Sequence, residues 1–365
     1  MLLSKHITLF IAALSSGGAE HQLTILANLL VERGYEVELV TYSDLIDHYP
    51  LSEKIKRTRL AEGKTNWKKL LQILRFFLTK KTDCVISFGS RDNMLAILPL
   101  LWRPNIKLIV GERCAVYQRP VWYKRLNFRW LYRRANYIVP NSYAQELDIT
   151  TNYHWLADKV HVITNYTDVN AYPQSPMPHN DVLKIGIFCR YAEQKNYRRF
   201  AEVVKQLKEI VDKPFEIHWH GNMRFGKDLL PQYVELDGLV RKYNICDRLY
   251  LHDHTHQVAQ MLPLYDALCL PSLTEGFSNS ISEYICTGRP VLASDVADNH
   301  IMVKDGINGF LFDPENVDDM VGKFRMFIKM LGYEYDSMGS SSRRIAEGLF
   351  DKNKFVESYI KLIEQ

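Results

Sequence analysis

The segment Pro271-Ser272-Leu273-Thr274-Glu275-Gly276-Phe277-Ser278-Asn279-Ser280-Ile281-Ser282-Glu283 gathers residue types that handle anions and hydroxyls. A strand over Ala267 to Leu270 ends there in a loop of small residues, and a helix begins near Ser278 and runs towards Cys286. Free amides at such a helix start favour an anion by about 0.5–2 kcal/mol. Two carboxylates, Glu275 and Glu283, flank that position. Counted as eight residues of helix they stand about 12 Å apart, comparable with the sugar-to-ribose span of a nucleotide diphosphate. A helix cap and a surface glutamate are the reading without function.

A second group follows the strand-like run Leu183 to Cys189. Arg190 and Lys195 stand five residues apart at its carboxyl end, where a bidentate guanidinium and an ammonium point charge can converge on a diphosphate. Solubilising surface charge is the bland alternative. Near the start, Gly17-Gly18-Ala19-Glu20 lies where a glycine loop enters a helix, so backbone amides can approach a phosphate or a sugar. The loop is neither GxGxxG nor a P-loop, and without a Walker lysine it argues against an ATPase. His218-Trp219-His220 and His252-Asp253-His254-Thr255-His256 have spacing acceptable to zinc, but no metal is expected.

These residues need elements to carry them, and the chain has room for two domains in its 365 residues. With 47% hydrophobic residues it is neither disordered nor collagenous. Six cysteines without a CxxC pair read as buried free thiols in a reducing compartment. Met1 to Ala19 imitates a signal peptide, yet it leads directly into a glycine loop, a helical pattern and the strand-like Val37 to Thr41, the opening of an α/β domain. No run approaches the roughly 18 apolar residues that span a bilayer. Further strands are predicted over Ile7–Ala12, Cys84–Phe88, Lys107–Val110, Tyr137–Val139 and Val160–Ile163, then over Phe215–Trp219, Leu249–His252 and Pro290–Ala293, with a helix over 197–210. Three prolines among residues 171–182 mark a linker. The predicted organisation is a domain over 1–170, that linker, a domain over 183–348 and a terminal helix over 349–365 that can cross back to the first.

Together these residues resemble glycosyltransferase family 4, the retaining nucleotide-sugar transferases of GT-B fold. The resemblance covers nearly the whole chain. It rests on Gly17-Gly18-Ala19-Glu20, Asn165-Tyr166-Thr167-Asp168, Arg190 with Lys195-Asn196, Tyr265-Asp266-Ala267, Glu275-Gly276-Phe277 with Glu283, Gly288-Arg289-Pro290-Val291 and Asp305-Gly306-Ile307-Asn308-Gly309. It implies an α/β GT-B fold, two Rossmann-like doubly wound domains facing a cleft. By the same resemblance Arg190 and Lys195 neutralise the leaving diphosphate, Glu275 holds sugar hydroxyls and Glu283 binds the ribose. Amides over Gly276, Phe277, Ser278, Asn279 and Ser280 serve sugar and phosphate, and Gly17 and Gly18 let the first domain approach the donor. No cofactor beyond a nucleotide-sugar, expected as UDP-linked, is implied, and the histidine-rich loops fall where the family flanks the nucleobase. The chain departs from the family over Ile86-Ser87-Phe88-Gly89-Ser90-Arg91-Asp92-Asn93, where many members carry a sugar-contacting histidine. Arg91, Asn93 and Arg113 are the acceptor-side substitutes considered, and no general base is assigned.

Charge is divided unevenly. Residues 1–170 carry 23 Lys and Arg against 15 Asp and Glu, while the remainder carries 23 against 27. On a helix, Trp122, Leu126 and Trp130 form one row and Arg125, Arg129 and Arg133 the next; Trp67, Leu70, Leu71, Leu74 and Phe77 stand similarly beside Lys68, Lys69, Lys80 and Lys81. Such faces suit a membrane interface. The expected protein is therefore peripheral on the cytoplasmic face of an anionic membrane, with a polyprenyl-diphosphate-linked or other glycan acceptor and no nucleic-acid partner. A nucleotide-sugar epimerase and a nucleic-acid-binding or nucleic-acid-modifying protein are the alternatives.

Overall fold

The computed structural model describes residues 5–15, 17–43, 47–60, 65–113 and 121–365, without the side chains of Val121, Tyr123, Lys124, Arg125 and Phe225. The chain divides into two compact units, Met1–Tyr166 with Lys352–Gln365, and Thr167–Asp351. Each is built on its own parallel sheet.

In the first unit the strands are β1 (His6–Phe10), β2 (Glu36–Thr41), β3 (Lys56–Arg59), β4 (Cys84–Phe88), β5 (Lys107–Glu112) and β6 (Tyr137–Pro140). They lie side by side in the order β3-β2-β1-β4-β5-β6, every pair parallel. Parallel neighbours need crossovers, here α1 (Gly18–Glu32), α2 (Asn66–Thr79), α3 (Ser90–Leu100) and α4 (Val121–Arg129); α5 (Tyr143–Asn152) follows β6. Central strands such as Cys-Val-Ile-Ser-Phe are buried at every residue, because helices cover both faces of the sheet.

The second unit repeats the plan. Its strands are β7 (Leu183–Phe188), β8 (Phe215–His220), a small hairpin of β9 (Arg224–Phe225) and β10 (Asp228–Leu229), β11 (Leu249–His252), β12 (Ala267–Leu270), β13 (Val291–Ser294) and β14 (Gly309–Phe312). The large sheet has the order β11-β8-β7-β12-β13-β14, again parallel throughout. Its helices are α6 (Tyr197–Ile210), α7 (Pro231–Lys242), α8 (Val258–Met261), α9 (Asn279–Cys286), α10 (Asn299–Met302), α11 (Val317–Ile328) and α12 (Gly332–Leu349). The chain then re-enters the first unit as α13 (Lys352–Glu364), where Lys5 and Lys107 donate to the Ile363 carbonyl at 3.3 and 2.7 Å.

Two strands of the six-stranded sheets escaped the periodicity reading, as did the β9–β10 hairpin, and one expected strand is absent. β3 reads Lys-Arg-Thr-Arg, whose charges mask a strand pattern; it sits at the sheet edge, where charged residues deter further pairing. β14 begins at Gly309, where a Cβ would lie 1.8 Å from the Val291 carbonyl oxygen, so only glycine permits this approach. Val160–Ile163 forms a single bridge from Val160 to Ile138 rather than a strand.

The proline segment is pinned to the second unit by one buried cation. The Arg289 guanidinium donates to the Ser175, Pro176 and Pro263 carbonyls at 3.0, 3.0 and 2.8 Å and to the Ser175 hydroxyl at 2.9 Å. Asp266 accepts from the backbone N–H of Asn180 and of Lys184 at 3.2 and 2.8 Å. Proline removes donors from this stretch, so its carbonyls are satisfied by a side chain instead of by a ladder.

Candidate functional site

In both sheets the strand order reverses beside the central strand, between β1 and β4 and between β7 and β12. Crevices at the carboxyl ends of strands flanking such a reversal are where doubly wound sheets bind ligands. In the second unit the crevice is formed by the segments that follow β7 and β12, which are the two segments singled out above.

Those segments are fastened to each other. Lys195 donates to the Glu275 carboxylate at 2.5 Å, with each side chain only 11% exposed. Burial opposes the charge on Lys195, and the facing carboxylate outweighs it, holding the ammonium above the ordinary lysine range. Gln194 completes the clasp: its carbonyl accepts from the Leu273 N–H at 2.8 Å and its amide donates to the Thr274 carbonyl at 2.7 Å. The sequence reading passed over Gln194, whose backbone and amide hold the residues just before Glu275. Its place between Arg190 and Lys195 was the available signal. Arg190 is exposed and makes no ion pair among the described residues.

Helix α9 starts where the spacing predicts. Ser278 is its N-cap, accepting from the Ile281 N–H at 3.4 Å. The helix is tied to the end of β7, since Ser280 donates to the Phe188 carbonyl at 3.2 Å and Tyr284 accepts from the Phe188 N–H at 2.8 Å. The start of α9 is thereby held against the end of β7, two residues before Arg190. Gly276, Asn279 and Ser280 are half-buried, while Phe277 and Ser278 are buried. The 12 Å separation derived above does not apply, because Glu275 to Ser278 precede the helix and only Asn279 onwards has helical rise. Glu283 is partly covered on α9, accepts a hydrogen bond from Tyr172, and is raised to about 7 by burial.

The histidines stack on one another. Their rings continue a row begun by Phe188, with His220 at 4.6 Å from it, His252 at 4.5 Å from His220 and His218 at 5.2 Å from His252. His218 Nδ1 lies 3.0 Å from His252 Nε2, and Tyr265 meets His220 at 2.7 Å. Burial keeps all three below the usual imidazole range, His220 at about 4. Among the described residues no group of three or more His, Cys, Asp or Glu is arranged to hold a metal ion.

In the first unit Gly17 caps α1 with extended backbone, and a Cβ there would lie 2.1 Å from a Glu20 carboxylate oxygen, the end of a flexible side chain that would have to move aside for a larger residue. Gly18 is exposed. Of the acceptor-side residues, Arg91 is exposed, 5.9 Å from the Tyr42 ring. Asn93 is fully buried: its amide donates to the Gly111 carbonyl at 3.0 Å and to the Glu112 carboxylate at 3.3 Å, and its oxygen accepts from Ser87 at 2.7 Å. Arg113 donates to Asn165 and Tyr359 at 3.2 and 2.5 Å and covers the Phe88 ring. Asp92, which the sequence reading did not select, is buried beneath the Tyr42 hydroxyl at 2.5 Å, and burial raises its carboxyl to about 7.

Comparison with known proteins accounts for both halves. The family described as Glycosyltransferase Family 4 matches residues 16–171, and that described as Glycosyl transferases group 1 matches residues 181–329. A Campylobacter jejuni relative, N-acetylgalactosamine-N,N'-diacetylbacillosaminyl-diphospho-undecaprenol 4-alpha-N-acetylgalactosaminyltransferase, is 23% identical over 80% of this chain and 81% of its own. Sucrose-phosphate synthase from Thermosynechococcus elongatus superposes with a TM-score of 0.83 at 15% identity, covering 99% of this chain and 98% of the other. Anabaena HepE in complex with UDP and glucose gives 0.81 at 16% identity, with 99% of both chains covered.

The buried pair makes a testable demand on stability. Glu275→Ala strands the Lys195 ammonium and should cost about 3–5 kcal/mol in denaturant unfolding, whereas Glu275→Ala with Lys195→Met should recover most of the loss. Equal losses in the two variants would show that the pair is not the source.

Proposed function

Since the chain belongs to the family 4, group 1 glycosyltransferases and has their GT-B fold, we propose that it is a retaining, metal-independent enzyme. On this reading it moves a sugar from a UDP-linked donor to a hydroxyl of a polyprenyl-diphosphate-linked saccharide. The observation that carries the proposal is the Lys195–Glu275 pair clasped at the carboxyl ends of β7 and β12, with Arg190, which forms no ion pair among the described residues, just after β7 and the start of α9 tied to the same strand end. The UDP held by the Anabaena neighbour supports the nucleotide, and the undecaprenol-diphosphate acceptor in the Campylobacter relative's name supports the acceptor class.

The chemistry follows from where charge develops. The bond from the sugar C1 to the diphosphate oxygen breaks with its electron pair, leaving negative charge on the diphosphate and oxocarbenium character on the sugar. Arg190, Lys195 and the α9 amides are fixed positive poles for the first, and fixed poles in a site of low dielectric cost no reorganisation during reaction. Glu275 accepts from sugar hydroxyls while it anchors Lys195. The acceptor oxygen attacks C1 from the face being vacated, and its proton passes to the departing phosphate oxygen.

The acceptor class also fits the surface of the first unit. No helix among the described residues is long and apolar enough to cross a membrane. Yet Trp67, Trp122 and Trp130 are each more than 60% exposed, while Phe77, Phe128 and Tyr132 on the same segments are buried in the core. Lys68, Arg75, Lys81, Arg129 and Arg133 are exposed and form no ion pair among the described residues; the Arg125 side chain lies outside them. Apolar side chains edged by unpaired cations suit the cytoplasmic, anionic face of a bilayer, where the enzyme docks peripherally to reach its lipid-linked acceptor.

Three measurements test these points. In a transfer assay with UDP-sugars and undecaprenyl-diphosphate-linked saccharides, Glu275→Gln should reduce turnover by about a hundredfold or more; wild-type turnover would refute the site. If the Glu283 carboxylate accepts a ribose hydroxyl, affinity for an intact UDP-sugar should rise about tenfold from pH 6 to pH 8 as the acid ionises near 7, and Glu283→Gln should flatten that profile in calorimetry. Reversing Lys68, Arg129 and Arg133 to Glu should weaken sedimentation with anionic liposomes roughly a hundredfold or more, at about 1 kcal/mol per base; unchanged sedimentation would remove the membrane from the proposal.

A further inference from the structure

Between α3 and β5 the chain turns through Leu101 and Trp102, which are 45% and 72% exposed. The Trp102 exposure exceeds that of any tryptophan on α2 or α4. A loop tip carrying so much apolar surface is ordinarily free to fold back on the protein. This one is prevented from doing so by two guanidinium groups. Arg103 donates to the Phe77 carbonyl at 3.0 Å and also to the Lys80 carbonyl, fastening the tip to the end of α2. From the other side Arg134, just beyond α4, donates to the Leu100, Arg103 and Ile106 carbonyls at 2.9, 2.7 and 2.9 Å. Three carbonyls around the tip, of Leu100, Arg103 and Ile106, and two at the end of α2 are thereby satisfied by side chains that tie the tip to its neighbours.

The two clamps also say where the tip stands. One leads to the segment of α2 and the other to that of α4, the two amphipathic helices whose exposed tryptophans were read independently from sequence. Leu101 and Trp102 project from the stretch that joins them.

We propose that Leu101–Trp102 is a rigid wedge that joins α2 and α4 into one docking face and inserts into the headgroup region of an anionic phospholipid bilayer. The inference rests on the membrane reading given above and deepens it. Charge complementarity selects the occupant, since the exposed cations at the two flanking segments have no acidic partner among the described residues. An indole at a wet, anionic interface satisfies its N–H there while burying its rings. Arginine clamping supplies what insertion requires, because a tip already held in its bound shape loses little entropy on docking.

The test uses the full chain and vesicles of phosphatidylglycerol and phosphatidylcholine in equal parts. Wild type should float with the vesicles, and Leu101→Ser with Trp102→Ser should reduce the bound fraction about tenfold. Trp102→Phe should restore most of it. Thermal stability, and turnover on a water-soluble acceptor analogue, should match wild type in every variant. Brominated lipid should quench less emission in Trp102→Phe than in wild type. If wild type floats and the serine variant floats equally, the wedge is overturned while membrane docking stands. Absence of flotation by wild type overturns both. Loss of self-association in the serine variant, without any vesicle binding by wild type, would assign the tip to a second copy of the chain and overturn the proposal.

Discussion

The buried ion pair between Lys195 and Glu275 is the constraint around which the second unit is arranged. An ammonium and a carboxylate removed from water are each costly, and a contact of 2.5 Å makes their burial tolerable. That contact exists only if the segments after β7 and β12 meet, so it depends on β12 pairing directly with β7. Gln194 then holds the two segments in register, and Ser280 and Tyr284 bring α9 to the same strand end. On the proposed function, a diphosphate arriving beside Lys195 would enter a field already shaped by sheet order.

The first unit solves a different problem with the same topology. Its helices bury one face against the sheet, as Ile73 and Phe77 do on α2, and still present tryptophan and leucine outward. Burying apolar surface near 25 cal/mol per Å² would favour covering these residues. Exposed tryptophans set this surface apart, since Trp219 of the second unit is fully buried. Exposed apolar patches of this kind mark interaction sites.

Much of this was legible because parallel sheets write themselves plainly. Strands buried on both faces appear as short apolar runs, and Cys84–Phe88, Leu249–His252 and Ala267–Leu270 fall where those runs stand. Failures came where another signal overlay the pattern. Charge concealed β3, while Val160–Ile163 had the composition of a strand but pairs at one residue. The prolines of 171–182 mark a linker, and what they do not announce is that the Arg289 guanidinium holds that stretch against the second unit. Eight residues of continuous helix do not separate Glu275 from Glu283, because Ser278 caps a helix that starts only after it.

What the sequence by itself determined is the residue types and their order along the chain: alternating strands and helices, a capped helix start, paired carboxylates, cations after a first strand, and tryptophan rows beside arginines. These are local properties, fixed by side-chain chemistry within a few residues. Tertiary structure alone decided the partners. It set Lys195 against Glu275 across 80 positions, buried Asn93 and Asp92 beneath neighbours that no spacing announces, and clamped Trp102 between two helices through Arg103 and Arg134. Electrostatic and hydrogen-bond energies depend on distance and dielectric in space, and only the packed sheets establish either.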